Sequence, residues 1–184
     1  MESQLDRALQ GTLAILTKVQ PKDLVAPTPC ASWDVRALVN HFIGTTRWWA
    51  VTIAGDGDVA DADYAAGDFV AAYEESIRIA VAAFGADGAL DRVVRLPFGE
   101  FPGAVLRDLA TIEQFTHGWD LARATGQPTD LDPGLAAGLL SQARLAITDA
   151  YRGPDGQALF GPAREVPANV GPAGRLAAFL GRVV

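Results

Sequence analysis

Apolar residues recur at helical spacing along most of this chain, and Pro and Gly cut the pattern into segments that can bury a face only against one another. Leu5, Leu9, Leu13, Leu16 and Val19 lie three to four apart, so residues 3–19 read as one amphipathic helix, ended by Pro21. After a connector stiffened by Pro27 and Pro29, Ser32 or Asp34 can cap a second helix running to about Ile53, with Val35, Leu38, Val39, Phe42 and Ile43 inward. Residues 55–67 carry four Asp and no periodicity and read as a loop. A third helix spans about Asp68 to Phe84 and carries Phe69, Tyr73, Ile77 and Val81.

Residues 91–101 change character, because Val93, Val94, Leu96 and Phe98 straddle Pro97 and Gly99. That pattern predicts a short hairpin or an extended crossover. Pro102-Gly103 opens a fourth helix to about Thr125, with Gly126 as its terminator and Pro128 barring continuation. Asp132-Pro133 caps a fifth helix to about Tyr151. Residues 151–174 hold nine Gly or Pro and read as irregular, before a short terminal helix at about 173–181. The expectation is an all-α bundle of four or five helices in one domain over 1–184, with residues 151–184 packed on it as a small irregular segment.

The 184 residues are 49% hydrophobic, enough for a real core. A net charge of −7 leaves no basic excess to neutralise phosphate or an anionic membrane surface, so neither nucleic acid nor membrane is expected as partner. The single cysteine, Cys30, excludes an internal disulfide, and without a neighbouring base in sequence it reads as an inert thiol. The N-terminus lacks signal-peptide order, and no apolar run reaches a membrane span; a cytoplasmic protein is the expectation. The acidic loop lacks the EF-hand order and its terminal Glu, which argues against calcium.

The chemistry-bearing residues are few. His41 and His117 are the only histidines, and each sits mid-helix among apolar residues. Glu113 precedes His117 by four residues, so both project from one face, one turn apart. Two imidazoles and a carboxylate match a three-ligand metal site that leaves a position for water or substrate. Equally, Glu-x-x-x-His pairs are common in helices without a metal, and a lone buried His usually serves the core. Asp120 lies three residues beyond His117 and can accept from its other ring nitrogen, ligate in its own right, or pair with Arg123 or Arg36. Trp48 lies two turns along from His41 and can line a pocket; the four Trp otherwise fit core packing.

Three segments carry a resemblance. APTPCASWDVRALVNHFIG resembles the first metal-ligand segment of the mycothiol-dependent maleylpyruvate isomerase N-terminal family, within the DinB-like bundles. LPFGEFPG followed by EQFTHGWDLARATGQP is similar to its second, and RLAAFLGR to a terminal motif of its short members. The resemblance covers nearly the whole chain. It implies a DinB-like up-down-down-up bundle holding a divalent metal, with His41, Glu113 and His117 as ligands: zinc first, with nickel, iron or manganese as alternatives. It further implies a transferase or isomerase using mycothiol or a similar small thiol on a small electrophilic substrate, working as monomer or homodimer. In that reading Asp120 orients His117, Arg36, Arg47 or Arg123 holds a substrate carboxylate, and Arg47 and Trp48 flank the cofactor. The isomerase proper has a further C-terminal domain, most of which this chain is expected to lack. The alternatives are a non-catalytic, stress-related metal-binding module and a metal-assisted hydrolase.

Overall fold

The computed structural model describes residues 2–55, 57–59, 61–96, 99–154 and 157–184. Among them run six helices: α1 (Gln4–Leu16), α2 (Val35–Ala54), α3 (Phe69–Gly85), α4 (Gly103–Ala124), α5 (Pro133–Ala146) and α6 (Pro172–Phe179). Strands β1 (Val93–Leu96) and β2 (Gly99–Pro102) pair antiparallel, Val93 opposite Pro102 and Leu96 opposite Gly99. The sequence pattern thus gives an all-α, DinB-like architecture with one hairpin. Pro97 and Phe98 of the hairpin and Asp56 of the acidic loop lie outside the described residues.

Local chemistry sets the helix starts. Ser3 and Asp6 form a reciprocal capping box on α1. The side chains of Asp34, Asp68 and Asp132 accept from backbone N–H groups in the first turns of α2, α3 and α5. Gly55 ends α2 in the left-handed conformation, while Arg92 donates to the free carbonyls of Ile53 and Ala54. Two expectations shift. Helix α1 stops at Leu16, and Pro21 instead starts a 3₁₀ turn (Pro21–Val25). Helix α5 stops at Ala146 rather than Tyr151, with a separate 3₁₀ turn at Asp149–Tyr151. On α3 the buried stripe is Tyr73, Ile77, Ala80 and Phe84, and Val81 is 38% exposed. Steps of four residues overrun the 3.6-residue turn, so the fourth member of that series leaves the face.

Helices α1, α4, α2 and α3 pack in a ring around a core built on Leu9, Leu16, Leu38, Phe42, Tyr73 and Leu106. A second core lies on the other flank of α4, where Ile112, Phe115 and Trp119 meet Leu135 and Leu139 of α5 and Leu176 of α6. Helix α4 is therefore covered on all sides, and every residue from Gln114 to Ala122 is buried. Its buried polar side chains have partners among the described residues, the indole N–H of Trp119 excepted. Gln114 accepts from Tyr73 Oη at 2.8 Å and donates to the Phe42 carbonyl of α2, while Thr12 of α1 donates to the Gln114 carbonyl. Gly118 permits the closest approach of α1 and α4, since a Cβ there would stand 2.3 Å from Thr12 Oγ1. That contact fixes the rotation of α4, and with it the direction in which His117 points.

Candidate metal centre

The facing sides of α2 and α4 carry His41, Glu113 and His117. One ligand-capable atom from each lies within 4.8 Å of the others. His41 Nε2 is 3.2 Å from Glu113 Oε1. The other oxygen, Glu113 Oε2, accepts from Trp49 Nε1 at 2.5 Å. The indole therefore holds the carboxylate by one oxygen and leaves the other toward the imidazoles. The His41 and His117 rings meet edge to face with centroids 4.9 Å apart. Trp33 lies over both, 4.3 Å from His41 and 5.8 Å from His117.

His117 Nδ1 is 3.1 Å from Asp120 Oδ2. Asp120 is fully buried and accepts from Arg182, whose Nε and Nη2 reach its two oxygens at 3.2 and 2.9 Å. Cys30 Sγ donates to Oδ2 from 3.3 Å. Burial alone would raise the Asp120 carboxyl, but the Arg182 charge and the hydrogen bonds from His117 and Arg182 hold it at about 2. An ionised carboxylate only accepts, so His117 carries its proton on Nδ1 and presents the Nε2 lone pair. Burial, opposed by Asp120, keeps His117 below the ordinary histidine range and thus neutral, the form that ligates. Glu113 is likewise ionised: burial pushes its carboxyl up, and the hydrogen bonds from His41 and Trp49, with the His117 ring beside it, bring it below its usual value. Two imidazoles and one carboxylate suit zinc and similar divalent ions.

The loop before α2 is held by its own hydrogen bonds. Thr28 Oγ1 donates to the carbonyls of Cys30 and Trp33 and accepts from the Cys30 amide, and the Trp33 amide donates to the Cys30 carbonyl. This knot places both Cys30 and Trp33 against the cluster. Burial, and then the Asp120 charge, push the Cys30 thiol up to about 12, so it stays protonated despite the guanidinium 3.5 Å away.

Of the sequence candidates, the fold brings together His41, Glu113, His117 and Asp120. It directs the others elsewhere. Arg36 pairs with Asp63 in the acidic loop. Arg47 donates to Ser76 Oγ at 2.8 Å and lies over the Tyr64 ring. Arg123 is exposed on the last turn of α4. Trp48 packs edge-on against Trp49 at the surface. The arginine partner of Asp120 is neither Arg123 nor Arg36 but Arg182, from the segment after α6. Sequence reasoning also missed Trp33, Trp49 and the contact of Cys30. All three lie in or beside the quoted motifs, but their distances across the fold carry no sequence period.

The family described as the mycothiol maleylpyruvate isomerase N-terminal domain matches residues 5–122, which include α2 and α3 and nearly all of α1 and α4. Uncharacterized proteins from two strains of Mycobacterium tuberculosis are each 38% identical over 186 residues, covering 97% of this chain and 95% of the relative. No solved structure matches significantly.

Proposed function

The chain belongs to the mycothiol maleylpyruvate isomerase N-terminal domain family, and from that premise we propose that it holds a divalent metal, zinc first, between His41, Glu113 and His117. We propose further that it works with a mycothiol-type thiol as a transferase or isomerase on a small electrophilic substrate. The observation that carries this reading is the convergence of three ligand-capable atoms from two helices, with the free lone pair of His117 selected by Asp120. The ion, when bound, supplies a Lewis acid that holds a thiol in its thiolate form near neutral pH.

The protein's own residues bind and orient. Asp120 holds the Nδ1 proton of His117, and Trp49 holds Glu113 Oε2 so that Oε1 stays toward the imidazoles. Trp33 covers the two rings and keeps water from that side. The His41 side chain is 29% exposed, so the cluster is open to a small molecule at that side chain. Trp48, exposed and in ring contact with the Trp49 that holds Glu113, is the proposed flank of the thiol, whereas Arg47 is held away by Ser76 and Tyr64.

Calorimetry with mycothiol tests this on zinc-loaded and metal-free protein. Binding to the loaded form alone, tighter as pH rises toward the thiol's own range, is the expected result. Equal binding to both forms would remove the thiolate role. Zinc uptake without binding of any thiol would leave a metal-binding module.

A further inference from the structure

Beside the proposed metal ligands lies a second cluster that the reading above does not use in full. Cys30, His117 and Asp120 also bring three ligand-capable atoms within 4.8 Å of one another, and by residue type they too look like a metal set. A cation already fills that position. The Arg182 guanidinium donates from Nε to Asp120 Oδ1 at 3.2 Å and from Nη2 to Asp120 Oδ2 at 2.9 Å, and Nη2 stands 3.5 Å from Cys30 Sγ. Its side chain is 13% exposed, and that of Asp120 is wholly buried.

The end of the chain is shaped to deliver this side chain. Helix α6 closes with the Gly181 amide donating to the Ala178 carbonyl and the Arg182 amide to that of Ala177. Gly181 takes a φ of +96°, which turns the backbone so that Arg182 runs back toward α4. The turn is pressed on the irregular stretch that precedes α6, because a Cβ on Gly181 would stand 2.6 Å from Gly161 Cα. Arg164 ties the same turn down twice, its amide donating to Ala178 and its Nε to the Gly181 carbonyl. Arg182 Nη1 donates back to the Leu180 carbonyl. A guanidinium fixed by its own main chain at one end and by both carboxylate oxygens at the other is a rigid clamp.

We propose that Arg182 is a positioning residue of the metal centre: by clamping both oxygens of Asp120 it fixes where Oδ2 lies, and through that oxygen it fixes the tautomer and ring orientation of His117. The region beyond the family-matched part of the chain thereby completes the site that part carries. The metal side of this inference rests on the reading proposed above, whereas the tautomer side stands without metal. Arg182 touches no reacting group and acts only through Asp120.

The test uses the full chain. Histidine ¹⁵N NMR of metal-free protein near neutral pH reads the His117 tautomer, and chelator competition reads zinc affinity. Wild-type protein is expected to show His117 protonated on Nδ1 alone. Arg182→Gln and Arg182→Lys, which lose the fork, are both expected to show mixed tautomers and to bind zinc on the order of 10- to 100-fold more weakly. In an Asp120→Asn background, adding Arg182→Gln should change zinc affinity less than about twofold, because an effect routed through Asp120 is already lost. That double variant also removes both buried charges, and it keeps the test open if Arg182→Gln alone fails to fold. A folded Arg182 variant that keeps a single Nδ1–H tautomer overturns the proposal, as do losses in zinc affinity that simply add. Wild-type protein that takes up no zinc overturns the metal reading instead, and the tautomer comparison then decides the role of Arg182 by itself.

Discussion

Asp120 shows how one buried side chain can govern several others. It accepts from His117, Arg182 and Cys30, and its folded-state value of about 2 lies below the ordinary 3.8. Between those values the unfolded chain binds a proton that the native state does not, so stability rises with pH across this window. The contribution, about 2 kcal/mol, is present above the ordinary aspartate range and is lost as pH falls through about 2. Urea unfolding of metal-free protein at about pH 5 and at about pH 2 should show that loss, and in Asp120→Asn it should shrink. His117 acts with the same sign higher up: burial keeps it below its usual range, so unfolding takes up a proton and stability falls as pH drops below that range. Trp49 gives a second prediction at this scale. Trp49→Phe keeps most of the ring but deletes the donor to Glu113 Oε2. The freed carboxylate can rotate, and zinc affinity should fall on the order of ten-fold with the fold retained, as chelator competition and circular dichroism would read.

At the scale of elements, the site depends on how α4 is turned against α1 and α2, and Gly118 is the hinge of that geometry. Alanine is ordinarily the better helix residue by about 1 kcal/mol. Here its methyl would meet Thr12 Oγ1 at 2.3 Å, and Thr12 cannot withdraw because it is buried and donates to the Gln114 carbonyl. Gly118→Ala is therefore expected to destabilise by about 1–3 kcal/mol net, measured by urea unfolding, and to weaken zinc uptake by shifting Glu113 and His117 together. Elements were the most legible part of the sequence. The spacing of Leu5, Leu9 and Leu16, the caps at Asp34 and Asp132 and the Pro-Gly start of α4 reappear within a few residues, because each is a local device. The ligand trio was legible through the one-turn spacing of Glu113 and His117 and through the scarcity of histidine. Arg182 was not, because its partner is 62 residues away and only the φ of Gly181 and its packing on Gly161 bring the two together. Trp33 and Trp49 read as core for a similar reason: an aromatic side chain in a helical motif looks the same whether it packs or donates.

Across the whole molecule, the proposed ligands come from two helices of the ring, one of them α4, which both hydrophobic cores share. An ion held by His41 on α2 and by Glu113 and His117 on α4 would tie those helices together in the folded chain, while the unfolded chain offers no such preformed cage. Binding to the native state alone stabilises it by mass action, about 4 kcal/mol when free zinc exceeds its dissociation constant by about a thousand-fold. For a chain of this size, each kcal/mol moves the melting temperature by roughly 2–4 °C. Zinc-loaded protein should therefore melt roughly 10 °C above the chelated form, and the difference should grow with free zinc concentration. His41→Ala and His117→Ala should each abolish most of that increment, whereas a control at Glu75, ion-paired with Arg78 on the exposed face of α3, should leave it intact. Differential scanning calorimetry of the four proteins with and without zinc reads this directly. Equal melting of loaded and chelated wild-type protein would place any bound ion outside the bundle, and an increment that survives both histidine variants would assign the ion to other residues.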